Sequence, residues 1–163
     1  VPWAQVSMIN FYDHTIYEAL SKVVQKLLPQ VSFVTSMLDT LIERSLIKKA
    51  FLFDVISKIY IATDQSPVDM KQYEICSELI DVLIDVTCIY GNEQASGNSK
   101  FDNKSSSIIK LQVANENGQQ ENVVMYLREV DRCLALVCLI SEENFHKQHL
   151  IDYNIDNFKK GLK

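Results

Sequence analysis

From Phe51 to Gly91 the hydrophobic pattern changes period in mid-stretch. Two short β-branched and aromatic runs, Phe51 to Val55 and Lys58 to Ala62, flank a brief polar break and predict a strand pair. Thr63-Asp64-Gln65-Ser66-Pro67 then turns the chain. Apolar residues next recur at helical spacing from Tyr73 to Ile89, and Gly91 ends that helix. Around it, Ile75, Cys76, Leu79, Ile80, Val82, Leu83, Ile84, Val86 and Ile89 spread over an arc of roughly 200°. Glu74, Glu78, Asp81 and Asp85 form a narrow acidic stripe opposite. A helix on one sheet needs an apolar stripe of only about 100°. The surplus needs a second cover, from this chain or from another, and a chain this small has few elements left to supply it.

Elsewhere the pattern is more ordinary. Val6 to Ile9 reads as a short strand, Asn10 to Thr15 as a loop, and Ile16 to Leu28 as an amphipathic helix stopped by Pro29. One strand and one helix are too little to fold alone. They read as the tail of an upstream domain, so this stretch is expected to expose an apolar stripe. A second helix begins near Ser32, its plausible cap, with Phe33, Val34, Met37, Leu38, Leu41, Ile42 and Leu46 on one stripe. After the long helix, Asn92 to Ser106 is polar and aperiodic. Ser107 to Val113 reads as a strand and Asn115 to Asn122 as a loop with a turn at Asn117-Gly118. Val123 to Val130 reads as a further strand. Cys133 to Ile140 is almost wholly apolar, the mark of a central strand covered on both faces. A last helix carries Ile151, Ile155, Phe158 and Leu162. From Ser32 the order is α-β-β-α-β-β-β-α, an α+β layer fold with a five-stranded antiparallel sheet.

Composition narrows the function classes. The 163 residues are 47% hydrophobic and 23% charged, enough for one domain with a proper core. A net charge of −5 argues against nucleic acid, and no apolar run reaches membrane-span length. Lys48-Lys49 and Lys159-Lys160 read as solvated helix ends. The chain shows no signal peptide and does not begin with Met, which suggests a fragment. Cys76, Cys88, Cys133 and Cys138 lie in apolar patterns without a C-x-x-C pair, so buried, reduced thiols are expected rather than zinc.

Candidate chemistry is sparse. The phosphate-loop, dinucleotide and nucleophile-elbow motifs are absent from these 163 residues. His146 and His149, near Glu142 and Glu143, read as a polar helix entry rather than a metal site. The acidic stripe on one straight helix cannot surround a cation. Asp54 and Asp64 sit at strand ends and are expected to cap turns, and Ser66-Pro67-Val68-Asp69 reads as a capped helix entry. No catalytic, cofactor-binding or metal-binding residue is expected in this stretch.

Several runs resemble the RagC/RagD class of Rag GTPases. They are Phe51 to Gly91, Tyr12-Asp13-His14-Thr15, Ser21 to Gln30, Ile108-Ile109-Lys110-Leu111, Tyr126 to Val130, Leu134 to Cys138 and Leu150 to Asn154, covering in order most of the chain. The resemblance implies the last strand and helix of a truncated GTPase domain at residues 1–30. It implies a roadblock (longin-like, profilin-like) dimerisation domain at 31–163, with helices on both faces of its sheet. GTP or GDP and Mg belong to the upstream part of such a parent chain. The family's last guanine-side loop would fall at Met8-Ile9-Asn10-Phe11, where Ile9-Asn10 replaces the small hydroxyl pair of the family. Val1 to Gln5 has no counterpart, and the loop Ala114 to Asn122 is longer than the family's. The implied partners are a RagA/RagB-like C-terminal domain, then a Ragulator-type scaffold, and indirectly the TOR kinase complex. The implied location is cytoplasmic, with recruitment to the lysosomal surface through those partners and no direct membrane insertion. A free-standing roadblock or longin adaptor of vesicle traffic is the alternative, which the helix Ile16 to Leu28 disfavours. Partner contact is expected from Cys76, Ile80, Leu83, Ile84 and Thr87 on the helix and from Ile109 and Leu111 on an edge strand, with Ile80 and Ile84 turned away from the chain's own sheet.

Overall fold

The computed structural model describes residues 15–90, 106–114, 120–131 and 133–162. The strand expected at Val6 to Ile9, the loop at Met8 to Phe11 and most of both polar loops lie outside them. Two helices open the described chain, α1 (Thr15–Leu27) and α2 (Val31–Ser45). The hairpin β1 (Ile47–Asp54) and β2 (Tyr60–Thr63) feeds α3 (Met70–Tyr90). Three strands follow, β3 (Ser106–Ala114), β4 (Gln120–Asp131) and β5 (Leu134–Ser141). The C-terminal helix is split into α4 (Glu142–Phe145) and α5 (Gln148–Gly161).

The five strands form one antiparallel sheet in the order β2-β1-β5-β4-β3. β5 is the middle strand, and Ala135 to Ile140 are buried on both faces, as its unbroken apolar run requires. One face carries Phe51, Phe53, Tyr60, Met125, Leu127 and Val137 beneath α3. The other carries Leu52, Tyr126, Leu136 and Ile140 beneath α2 and α5. Helices therefore cover both faces, the layered architecture that the element order predicts.

Local chemistry sets the joints. Asp54 accepts the hydroxyl of Ser57 (2.5 Å) and closes the β1–β2 turn. Asp69 accepts the Lys71 N–H (3.2 Å) and starts α3. Ser32 does not cap α2; the helix begins one residue earlier, after Gln30, with no side-chain cap. Leu46 ends that helix at φ 54°, a left-handed turn that delivers the chain directly into β1.

One expectation is corrected here, and another gains a contact that the sequence does not show. Lys48-Lys49 is not a helix end but lies inside β1. Lys48 is exposed and pairs with Glu121, whereas Lys49 is buried with its ammonium 3.2 Å from the buried carboxylate of Asp64. The α1 helix, in turn, is no loose tail. Tyr17 packs against the core under α3, and Ser21 is fully buried. Ser21 Oγ donates to the Tyr17 carbonyl (2.7 Å) and accepts the Tyr60 N–H (3.1 Å). The helix thus meets the outer edge of β2. Leu20, Val23 and Leu27 on its far side remain exposed, the apolar stripe the periodicity predicts.

Candidate partner-binding surface

An uncovered apolar surface is built from α3 and β3. β3 is the last strand of the sheet and pairs, among the described residues, only with β4, from Ser106 opposite Arg128 to Ala114 opposite Gln120. No described strand lies beside its outer edge. Alternation divides its side chains cleanly. Ile109 and Leu111 stand opposite Met125 and Val123 and pack half-buried against the core under α3, together with Val113. Ile108 and Lys110 face the other way and are exposed.

α3 is anchored by one face. Tyr73, Cys76, Leu79, Ile80 and Leu83 are buried on the sheet. Tyr73 stacks on Phe53 (centroids 5.8 Å), meets Tyr60 edge-on (5.6 Å) and donates its hydroxyl to the Lys58 carbonyl (2.8 Å). Burial pushes the Tyr73 phenol and the Cys76 thiol well above their usual ranges, so neither ionises near neutral pH. Burial likewise raises the Cys138 thiol. These thiols are packing groups, not nucleophiles.

The expected orientation of α3 is therefore off by about a quarter-turn. Cys76 and Ile80 are fully buried and Leu83 is buried at the helix's own sheet. Ile84 is half-buried and packs on the same cluster. The Thr87 side chain lies outside the described residues. The residues left uncovered are Val82 (55% exposed), Val86 (45%) and Ile89 (70%). With half-buried Ile75 they fall within roughly 60° of one another on a 100° wheel. The surplus is real, but it lies on one flank of the helix, roughly 110° round the wheel from the residues buried on the sheet. The cause is Tyr73, whose ring must enter the aromatic cluster and so fixes the rotation of the whole helix.

The acidic stripe lies beside this apolar strip. Asp81 receives the Lys58 ammonium (2.7 Å), which places the stripe on the side of the β1–β2 turn. The strip is bounded on its other side by Leu79 and Leu83, members of the core cluster against which Ile109, Leu111 and Val113 also pack. Exposed helix and open strand edge are thus neighbours on one side of the molecule.

Other candidate groups have structural partners. His146 Nδ1 contacts the Glu143 carbonyl at the end of α4, and His149 lies exposed in the first turn of α5. Glu142 binds Lys110 (2.7 Å) and the Asn122 amide (2.9 Å). Among the described residues no three His, Cys, Asp or Glu side chains are placed to hold one metal ion.

Residues 4–80 match the family model described as "Gtr1/RagA G protein conserved region". The chain is also 51% identical over 155 residues to mouse Ras-related GTP-binding protein C, a match covering 95% of this chain. The chain belongs to the Rag/Gtr family. This Rag/Gtr chain spans 37% of the length of that mouse relative. In fold it is similar to Myxococcus xanthus MglB, with a TM-score of 0.57 at 14% identity over 83% of this chain and 88% of that one. It is similar too to a Roadblock/LC7 domain from Streptomyces avermitilis, with a TM-score of 0.52 at 11% identity over 78% and 92%. The Rag/Gtr chain therefore carries a roadblock fold, as the resemblance to Rag GTPases implies.

Proposed function

We propose that this chain is the pairing and docking part of a Rag-type GTPase. The observation that carries the reading is the open edge of β3 beside the uncovered strip Val82, Val86 and Ile89, bordered by half-buried Ile75. A like domain can add its own edge strand to β3 through main-chain hydrogen bonds and cover the strip with its own helix. The partner that family membership suggests is a RagA/RagB-like C-terminal domain. Ile109 and Leu111 join this contact, while Cys76, Ile80, Leu83 and Ile84 support the helix from beneath. Residues 1–30 are proposed as the end of the GTPase domain and 31–163 as the roadblock domain. In this reading GTP or GDP, with Mg, is held upstream, and this stretch is not itself an enzyme. Further out, the paired domains dock on a Ragulator-type scaffold at the lysosomal surface and signal amino-acid sufficiency to the TOR kinase complex.

The test is co-purification with a RagA-like C-terminal domain. Val86→Asp buries an unpaired charge in the contact and is expected to abolish pairing. Ile56→Asp, at the exposed β1–β2 turn, is expected to leave it intact. Circular dichroism on each variant separates a lost contact from a lost fold. A folded Val86→Asp variant that still elutes as a heterodimer at micromolar concentration overturns the assignment.

A further inference from the structure

The turn between β2 and α3 holds a polar cluster that pairing does not use. Asp64 is buried at its start and accepts the Ala50 N–H (3.1 Å), the Ser66 N–H (3.0 Å) and the Ser66 hydroxyl. The buried Lys49 ammonium donates to the Ser66 carbonyl (2.6 Å) and to Ser66 Oγ (2.9 Å). Asp39 of α2 accepts the Gln65 N–H (3.1 Å). One hydroxyl thus ties β1, the end of β2 and the approach to α3 into a single knot. Yet Ser66 itself is exposed, as are Gln65 and Pro67 on either side, and the turn is neither helix nor strand. Of the three prolines in the sequence, only Pro67 follows a hydroxyl residue.

We infer that Ser66 is the acceptor of a proline-directed protein kinase, and that its phosphorylation opens the turn tying β2 to α3. Kinases of this class require proline directly after the acceptor, and they read exposed, irregular backbone. In the transfer, Ser66 Oγ takes the γ-phosphoryl group of a nucleoside triphosphate. The bond to the β-phosphate breaks, the hydroxyl proton passes to the kinase's base, and the nucleoside diphosphate leaves. The product carries close to two negative charges at neutral pH. It has also lost the proton that Ser66 donated to Asp64. Asp64 and Asp69 lie on the turn, Asp39 of α2 binds its Gln65 N–H, and Lys49 is the cation bonded to Ser66. Lys49 already balances Asp64 while it bonds Ser66, and one cation cannot balance both a carboxylate and a doubly charged phosphate, so the phosphate is repelled outward and carries the Ser66 carbonyl away from Lys49. The first turn of α3 loses its tether. This inference does not depend on the partner proposed above.

The experiment incubates the folded chain with a purified proline-directed serine/threonine kinase and ATP and locates phosphate by mass spectrometry. Phosphate is expected on Ser66, lost in Ser66→Ala and reduced to background in Pro67→Ala, which keeps the hydroxyl. Both variants are checked for folding by circular dichroism. The phosphorylated chain is expected to melt several degrees lower and to exchange its amides faster from Gln65 to Gln72. A native chain that takes no phosphate on Ser66 overturns the acceptor. A phosphorylated chain that melts and exchanges like the unmodified one overturns the opening.

Discussion

Lys49 and Asp64 are the residues whose chemistry is most exposed to change, because both are buried and each neutralises the other. Burial by itself raises the Asp64 carboxyl. The hydrogen bonds from Ser66 and Ala50 and the Lys49 charge outweigh it and hold the group below its usual range. Its stabilising contribution is therefore complete above about pH 4, the unfolded value, and is lost as pH falls through the folded value. Urea midpoints of the native chain and of Asp64→Asn are expected to differ at neutral pH and to converge in acid. Lys49→Met leaves the carboxylate uncompensated and should cost about 3–5 kcal/mol, read from the same titrations. Lys49 could have been suspected from the sequence, since it sits inside an apolar run flanked by Ile47 and Phe51. Its partner could not, because Asp64 meets it only through the pairing of β1 with β2.

At the scale of elements, α3 and α1 teach different lessons. Periodicity measured how much of α3 is apolar, and the excess over one sheet's need is present in the folded molecule. It could not say which side faces inward, because an arc of roughly 200° admits several rotations. Tyr73 chooses among them through the ring cluster of Phe51, Phe53 and Tyr60. Tyr73→Ala should cost about 3–5 kcal/mol. Tyr73→Phe, which loses only the hydrogen bond to Lys58, should cost about 1 kcal/mol. Denaturant unfolding of both variants checks the ratio. For α1 the apolar stripe was legible, but its docking was not, since Ser21 gives no sign in the sequence that it binds the Tyr60 amide. Amide exchange at Tyr60 is expected to be slow in the native chain and to accelerate in Ser21→Ala. Equal rates in the two proteins would remove α1 from the edge.

For the molecule as a whole, layer order and strand number followed from the switch between periods of two and 3.6 and from the wholly apolar run at Cys133 to Ile140. The two faces of β5 need two layers of helix, and the chain supplies α3 to one and α2 with α5 to the other. The Rag/Gtr relatives bear GTP-binding names, but the described groups here are ones that pack and pair. Purified chain is expected to hydrolyse GTP no faster than a heat-denatured control, measured as phosphate release. Activity above that control would place a nucleotide site within these residues.

The docking of α1 also bears on how many chains can assemble. A sheet with two free margins can lengthen without limit, each newcomer leaving a fresh margin for the next. Here Ser21 already occupies the outer Tyr60 amide and α1 lies across β2, so among the described residues β3 is the strand edge left for a neighbour. A body with a single attachment point has a valence of one. Growth by strand addition then stops at a pair when the arriving domain is likewise single-edged, and this chain adds no second margin from which a fibre could propagate.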